Sequence, residues 1–190
     1  HVSYWHLNPI ENMFNQYGFE IKYAERLPLH HGQLRVVASK SKNIAKHHSV
    51  DNLLKWEIEQ EIGSKKMALE FANKSLKIKE ELNSVIKDLK QAGKKIAGYG
   101  APAKATTLMN FLNLDNNKID FVADRSTLKQ GLIIPGTNIE IVSPELIQKE
   151  NPDYLILFAW NFKEEIINQL DSYIKNGGKL IIPLPEVEII

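Results

Sequence analysis

The chain has 190 residues, a net charge of +1, 43% hydrophobic and 25% charged residues, and no cysteine. That composition suits a soluble globule with room for one α/β domain and a piece of another. Disulfides and thiolate metal sites are excluded, no apolar run approaches the ~20 residues of a membrane span, and no basic face of the kind that holds nucleic acid is visible. No nucleic-acid or membrane partner is expected, and the cytoplasm is the expected compartment.

Asn8 followed by Pro9 predicts a helix start, and Ile10, Met13, Phe14 and Tyr17 recur on one face before Gly18 stops it. "FEIKYAERL" and "QLRVVAS", joined by "PLHHG", predict a β-hairpin over residues 19–39. A helix and a hairpin cannot close a core alone; they are how the last third of many α/β domains ends. The chain also opens on "HVSYWHL", with His1 in place of methionine, so it is expected to start in mid-sequence. Residues 1–40 then read as the end of a domain, with an apolar flank that favours self-association into a homo-oligomer.

Residues 41–93 read as a helical linker. Ser49 is the expected cap of its first helix and Gly63 the stop, after which Leu69, Ala72, Leu76, Leu82, Ile86 and Leu89 form one stripe interrupted by Lys79. The lysines and glutamates between them read as a solvated face. After Gly93 short apolar runs alternate with helical stretches: "KIAGY", "IDFVA", "IEIV", "DYLILFAW" and "KLIIPL" as strands, with helices near 103–112, 144–148 (capped by Ser143) and 163–175 (ended by Gly177 and Gly178). Residues 94–190 are therefore predicted to form a Rossmann-like α/β domain with a parallel sheet.

The stretch "GYGAPA" places Gly98, Tyr99, Gly100 and Ala101 directly after a strand, with Ala103 and Lys104 opening a helix. In G-x-G-x-x-A the first glycine permits a turn, the second lets backbone approach a phosphate, and the alanine lets helix and sheet pack closely. The helix start adds free N–H groups, and Lys104 opposes the helix dipole unless an anion binds nearby. Asp124 ends the next strand, where dinucleotide folds place the carboxylate that holds a ribose hydroxyl. The alternative is a tight connection with Asp124 as a turn residue. The loop "DRSTLKQGLIIPGTNIEIVSPE" carries Arg125, Lys129 and Gln130 and leaves a strand's carboxyl end, as a lid or as an edge hairpin turning at "PGTN". Trp160 and Asn161 fall at another strand end, where Asn161 is either a helix cap or a ligand contact. His30–His31 and His47–His48 lack the spacing and companions of a metal site.

Taken in order, "HVSYW", "ERLPLHHGQLRV", "GYGAPAKATTLMNF", "VADRSTLKQGLIIPGTNIEIVSPE" and "PDYLILFAWNFKEEI" make the chain resemble the C-terminal half of the nucleotide-sugar C-methyltransferases of deoxysugar biosynthesis. The resemblance implies an enzyme with a zinc-binding module, an S-adenosylmethionine domain and a C-terminal Rossmann-like domain, of which the end of the second and all of the third are present here. The zinc and the S-adenosylmethionine would then bind outside this stretch. The implied substrate is a nucleoside-diphosphate 4-keto deoxysugar. A base removes the proton beside its carbonyl, and the enolate takes the methyl group; the resemblance puts that base at His1. It also implies that the glycine turn, with Lys104, Asp124, Lys129 and Asn161, helps form the nucleotide-sugar cleft. Two other readings stay open: a noncatalytic nucleotide- or dinucleotide-binding module, and a scaffold that only buttresses a catalytic domain.

Overall fold

The structure is a computed structural model that describes residues 3–29 and 32–190. It divides into two compact units, one ending at Ala72 and the other running from Asn73 to Ile190. Among the described residues no helix is long and apolar enough to cross a membrane.

The first unit holds helix α1 (Leu7–Gln16), strands β1 (Glu20–Leu27) and β2 (Gln33–Ser39), helix α2 (His48–Glu59) and the start of α3 (Lys65–Gln91). The two strands pair antiparallel from Glu20↔Ser39 to Leu27↔Gln33, with an irregularity between Ile21 and Tyr23. Leu7, Ile21, Ala24 and Val50 are its buried core. Tyr4, Trp5 and Met13 are exposed and line a hollow with Leu34 and Val36.

Both expected caps in this unit are replaced. The first helix begins at Leu7, one residue before Asn8, and its open N–H groups at Leu7 and Asn8 donate to the buried Glu57 carboxylate at 2.6 and 3.1 Å. Negative charge belongs at that end of a helix, and here a second helix supplies it. At α2 the cap is His47, whose Nδ1 accepts from the Ser49 N–H at 3.2 Å. The expected stripe on α3 also divides, since Leu82 and Ile86 are buried with Ile78 whereas Leu69 and Leu76 are exposed.

The second unit carries strands β3 (Ile96–Tyr99), β4 (Val122–Ala123), β5 (Ile133–Ile134), β6 (Ile139–Val142), β7 (Tyr154–Leu157), β8 (Lys179–Ile182) and β9 (Glu188–Ile189). They form one sheet in the order β5-β6-β4-β3-β7-β8-β9. β6, β4, β3, β7 and β8 run parallel, with β5 and β9 antiparallel at the two edges. Leading outward from β3, the chain builds β4 and β6 on one side and then β7 and β8 on the other. This is a mostly parallel Rossmann-like sheet whose strand order reverses between β3 and β7.

Strand alternation explains both covered faces. Ile96, Val122, Ile156 and Phe158 face α3 and α4 (Ala103–Leu112), where Leu82, Ile86, Leu108, Met109 and Leu112 meet them. Ala97, Tyr99, Leu155 and Leu157 face the other way, toward Ile147 of α5 (Glu145–Glu150), Ile166 of α6 (Lys163–Gln169) and Tyr173 of α7 (Asp171–Lys175). Fully burying each such aliphatic side chain contributes roughly 1.5–3 kcal/mol, which makes the two-faced sheet the stable centre of this unit. The expected single helix over 163–175 is broken at Leu170, and α5 starts after Pro144 with no side-chain cap from Ser143. The loop after Asp124 forms the edge hairpin of β5 and β6, turning at 135–138.

Candidate functional site

Open parallel sheets bind ligands beyond the carboxyl ends of their strands, where the strand order reverses. At that place lie the turn after β3, the loop after β4 and the residues after β7. Gly98, expected to permit a turn, is instead inside β3. A Cβ there would stand 2.6 Å from the Phe158 ring and 2.8 Å from a Val122 methyl. Its missing side chain makes room for Phe158, which is fully buried. Gly100 does make the turn, with φ +84°, and a Cβ on it would come within 2.9 Å of the Ala159 Cβ. Ala103 is exposed; the small residue that lets α4 approach the sheet is Ala105.

Asp124 clamps this turn. One carboxylate oxygen accepts the Ala101 N–H at 2.6 Å, the other the Ser126 N–H at 2.8 Å. Lys129 Nζ donates to the Ala101 carbonyl at 2.9 Å and lies 3.4 Å from Asp124. Gln130 donates to the Asp124 carbonyl at 2.9 Å and holds the loop over the clamp. Burial pushes the Asp124 carboxyl up, but the Ser126 and Ala101 amides and the Lys129 ammonium outweigh it, and the net result lies below the ordinary range. The amide that a phosphate would use is therefore taken from inside the protein. The turn has no open cradle for S-adenosylmethionine or a dinucleotide.

This clamp makes a stability prediction. Asp124→Ala should destabilise the second unit by about 1–3 kcal/mol at neutral pH, because two amides lose their acceptor. A carboxyl whose folded pKa is lowered stabilises the fold fully above its unfolded value and loses that contribution as pH falls through the folded value. The gap between wild type and variant in denaturant midpoint should therefore close below about pH 4. An equal gap at pH 7 and pH 2 would contradict the clamp.

With Lys129 committed to Asp124, the other lysine of the site stands apart. Lys104 Nζ lies 4.0 Å over the Trp160 ring and donates to the Asn161 side-chain oxygen. Both partners are neutral, and no ion pair forms between Lys104 and a carboxylate among the described residues. Burial pulls its ammonium below the ordinary lysine range. Asn161 sits in a 3-10 turn (Trp160–Phe162) and does not cap α6; its side chain holds Lys104. Trp160 packs against both core clusters at once, and so covers the top of the sheet at the strand-order reversal.

The structure thus gathers Gly98, Gly100, Ala101, Asp124 and Lys129 into one clamped turn, and Lys104 with Asn161 beside it. Tyr99 points away from the turn into the other core cluster, its hydroxyl donating to Gln169 at 3.2 Å and its pKa raised by burial. Phe162, in the turn after β7, and Gln169, the last residue of α6, had no signal in the sequence beyond helical spacing. His1, His30 and His31 lie outside the described residues. His47 and His48 stack with ring centroids 4.0 Å apart. Among the described residues no three His, Cys, Asp or Glu side chains gather as a metal site.

The family model of the C-methyltransferase C-terminal domain matches residues 28–185. A curated relative, the C-methyltransferase NovU of Streptomyces niveus, is 33% identical over 193 residues, covering 100% of this chain and 46% of that protein. The chain spans about half the length of the curated relative it matches.

Proposed function

Because the chain belongs to the C-methyltransferase C-terminal domain family, we propose that it is the C-terminal part of an S-adenosylmethionine-dependent enzyme that methylates a carbon of a nucleoside-diphosphate 4-keto deoxysugar. In this reading the second unit forms one wall of the nucleotide-sugar cleft. The observation that carries it is Lys104, a partly buried cation at a helix start and at the strand ends, held by neutral Trp160 and Asn161 alone. Desolvating a cation without a counter-charge is unfavourable, and a diphosphate would supply one.

Each residue then has a part. Asp124 and Lys129 fix the turn that sets the start of α4, Trp160 and Asn161 orient the Lys104 ammonium, and that ammonium takes a phosphate oxygen. S-adenosylmethionine supplies an electrophilic methyl group and binds elsewhere in the full-length protein. The proton beside the sugar carbonyl needs a base, for which the resemblance puts forward His1. Residues 1–40 belong in this reading to the end of the methyl-donor domain, 41–93 to a linker and 94–190 to the C-terminal domain. The small core of the first unit, with Trp5 exposed, is what supports setting residues 1–40 apart; the compact units themselves divide at Ala72, within the linker.

The test uses methyl-labelled S-adenosylmethionine and a 4-keto nucleotide sugar. The full-length enzyme should transfer label to the sugar, and the isolated 190 residues should transfer none. Turnover by the isolated chain, or none by the full-length enzyme on any 4-keto nucleotide sugar, would overturn the reading.

A further inference from the structure

Glu57, on α2, carries a carboxylate that is only 5% exposed. Burying such a group is unfavourable unless its oxygens are satisfied. Among the described residues its hydrogen bonds go to three consecutive positions: Oε1 accepts the Leu7 N–H, Oε2 accepts the Asn8 N–H, and the His6 Nδ1 lies 3.0 Å from Oε2. Its ion-pair partner is that same His6. The grip extends to the turn after α2. Gly63 has φ +79°, and a Cβ on it would stand 2.6 Å from the His6 Nε2, so the imidazole fills the space that this glycine leaves.

Capping α1 does not require this arrangement. An Asn, Asp, Ser or Thr just before the helix would take such N–H groups and would move with its own helix. A carboxylate carried by α2, 49 residues away in sequence, also fixes where residues 6–8 stand on α2. Leu7 is locked further by burial in one core with Val50 of that helix. The residues toward the chain start are held less firmly. Trp5 is 53% exposed, and its indole N–H donates to Ser3, within the same stretch.

We propose that Glu57 is a positioning residue for the catalytic base, acting through its hold on residues 6–8. This rests on the reading that the base is His1, which stands five residues before His6 in sequence. A base must meet the proton beside the sugar carbonyl in a narrow geometry, and a misplacement of about 1 Å can cost about a hundredfold in rate. The first helix of the linker then serves catalysis by anchoring the chain that carries the base, without touching substrate.

The test uses the full-length enzyme well below every thermal midpoint and compares wild type with Glu57→Gln, His6→Phe and Ile21→Val. Three quantities are read: methyl transfer to a 4-keto nucleotide sugar, uptake of solvent deuterium at the carbon beside its carbonyl without methyl donor, and amide exchange over residues 3–8. Glu57→Gln keeps the shape and removes the charge and one acceptor oxygen. It should speed the amide exchange and lower kcat and deuterium uptake about tenfold to a hundredfold with KM unchanged. His6→Phe keeps a ring beside Gly63 and leaves the carboxylate on the Leu7 and Asn8 amides, so kcat should fall less, about threefold. Ile21→Val trims the same small core and lowers the midpoint, yet should keep the wild-type kcat. Faster amide exchange in Glu57→Gln with kcat and deuterium uptake unchanged would overturn the proposal and leave the methyl-transfer reading intact. Equal kcat losses in Glu57→Gln and Ile21→Val would do the same, by making the effect one of stability. Should Glu57→Gln not fold, an unchanged kcat in His6→Phe decides against the proposal. A wild type that neither takes up deuterium nor transfers methyl would overturn the reading itself, and the proposal with it.

Discussion

Gly98→Ala should destabilise the second unit by about 1–3 kcal/mol although it adds one methyl group, since forcing carbon into a close-packed core displaces its neighbours. The new Cβ would meet the Phe158 ring at 2.6 Å and Val122 at 2.8 Å, distances at which something must shift. Neither neighbour has room: both are fully buried among Ile96, Ile156 and Met109. Gly98→Val should be worse and prevent the unit from folding stably. The cause can be isolated with Phe158→Leu, which removes the ring atoms that the new methyl would strike. Residues in contact do not contribute additively, so the Gly98→Ala/Phe158→Leu double variant should lose less stability than the two single variants summed. Denaturant midpoints for the four proteins test this. Strict additivity, or a Gly98→Ala midpoint equal to wild type, would show that the glycine answers to something other than Phe158.

That example marks the boundary of what the sequence could say. The bounds of α4 were legible in full, because a glycine turn on one side and apolar spacing on the other are local signals. The short apolar runs "KIAGY" and "DYLILFAW", set between helical stretches, were legible for the same reason, and with them the parallel sheet. The reason for Gly98 was not, since Phe158 is distant in sequence and only the sheet brings them together. The caps failed alike: Asn8 and Ser49 look like caps by residue type, but Glu57 and His47 occupy those places through contacts that type does not encode. Asp124 was recognisable as a carboxylate at a strand end. That it would be filled by the Ala101 amide, and so turn a suspected cradle into a closed clamp, required the loop geometry. The linker stripe misled because periodicity shows which residues share a helical face, not how much of that face another element covers.

Lys104→Ala should weaken nucleotide-sugar binding by the full-length enzyme about tenfold to a hundredfold, the worth of one charge-assisted hydrogen bond of roughly 1.5–3 kcal/mol. The pH dependence adds a signature that a structural role would not give. Burial holds the Lys104 ammonium below the ordinary lysine range, so its cation, and the affinity it contributes, should fade as pH rises through that lowered value, short of about 10.4. Lys104→Arg keeps the charge and can still lie over Trp160; its affinity should stay level over the same interval. S-adenosylmethionine binding should not change in either variant, because the turn has no seat for the methyl donor. The deciding measurement is the nucleotide-sugar dissociation constant of wild type, Lys104→Ala and Lys104→Arg between pH 7 and pH 10. A tenfold or greater loss in the alanine variant at pH 7, and an alkaline loss in wild type that the arginine variant lacks, is the result predicted for a phosphate-binding wall. Wild-type affinity in Lys104→Ala across the whole interval would contradict it and leave the domain a buttress.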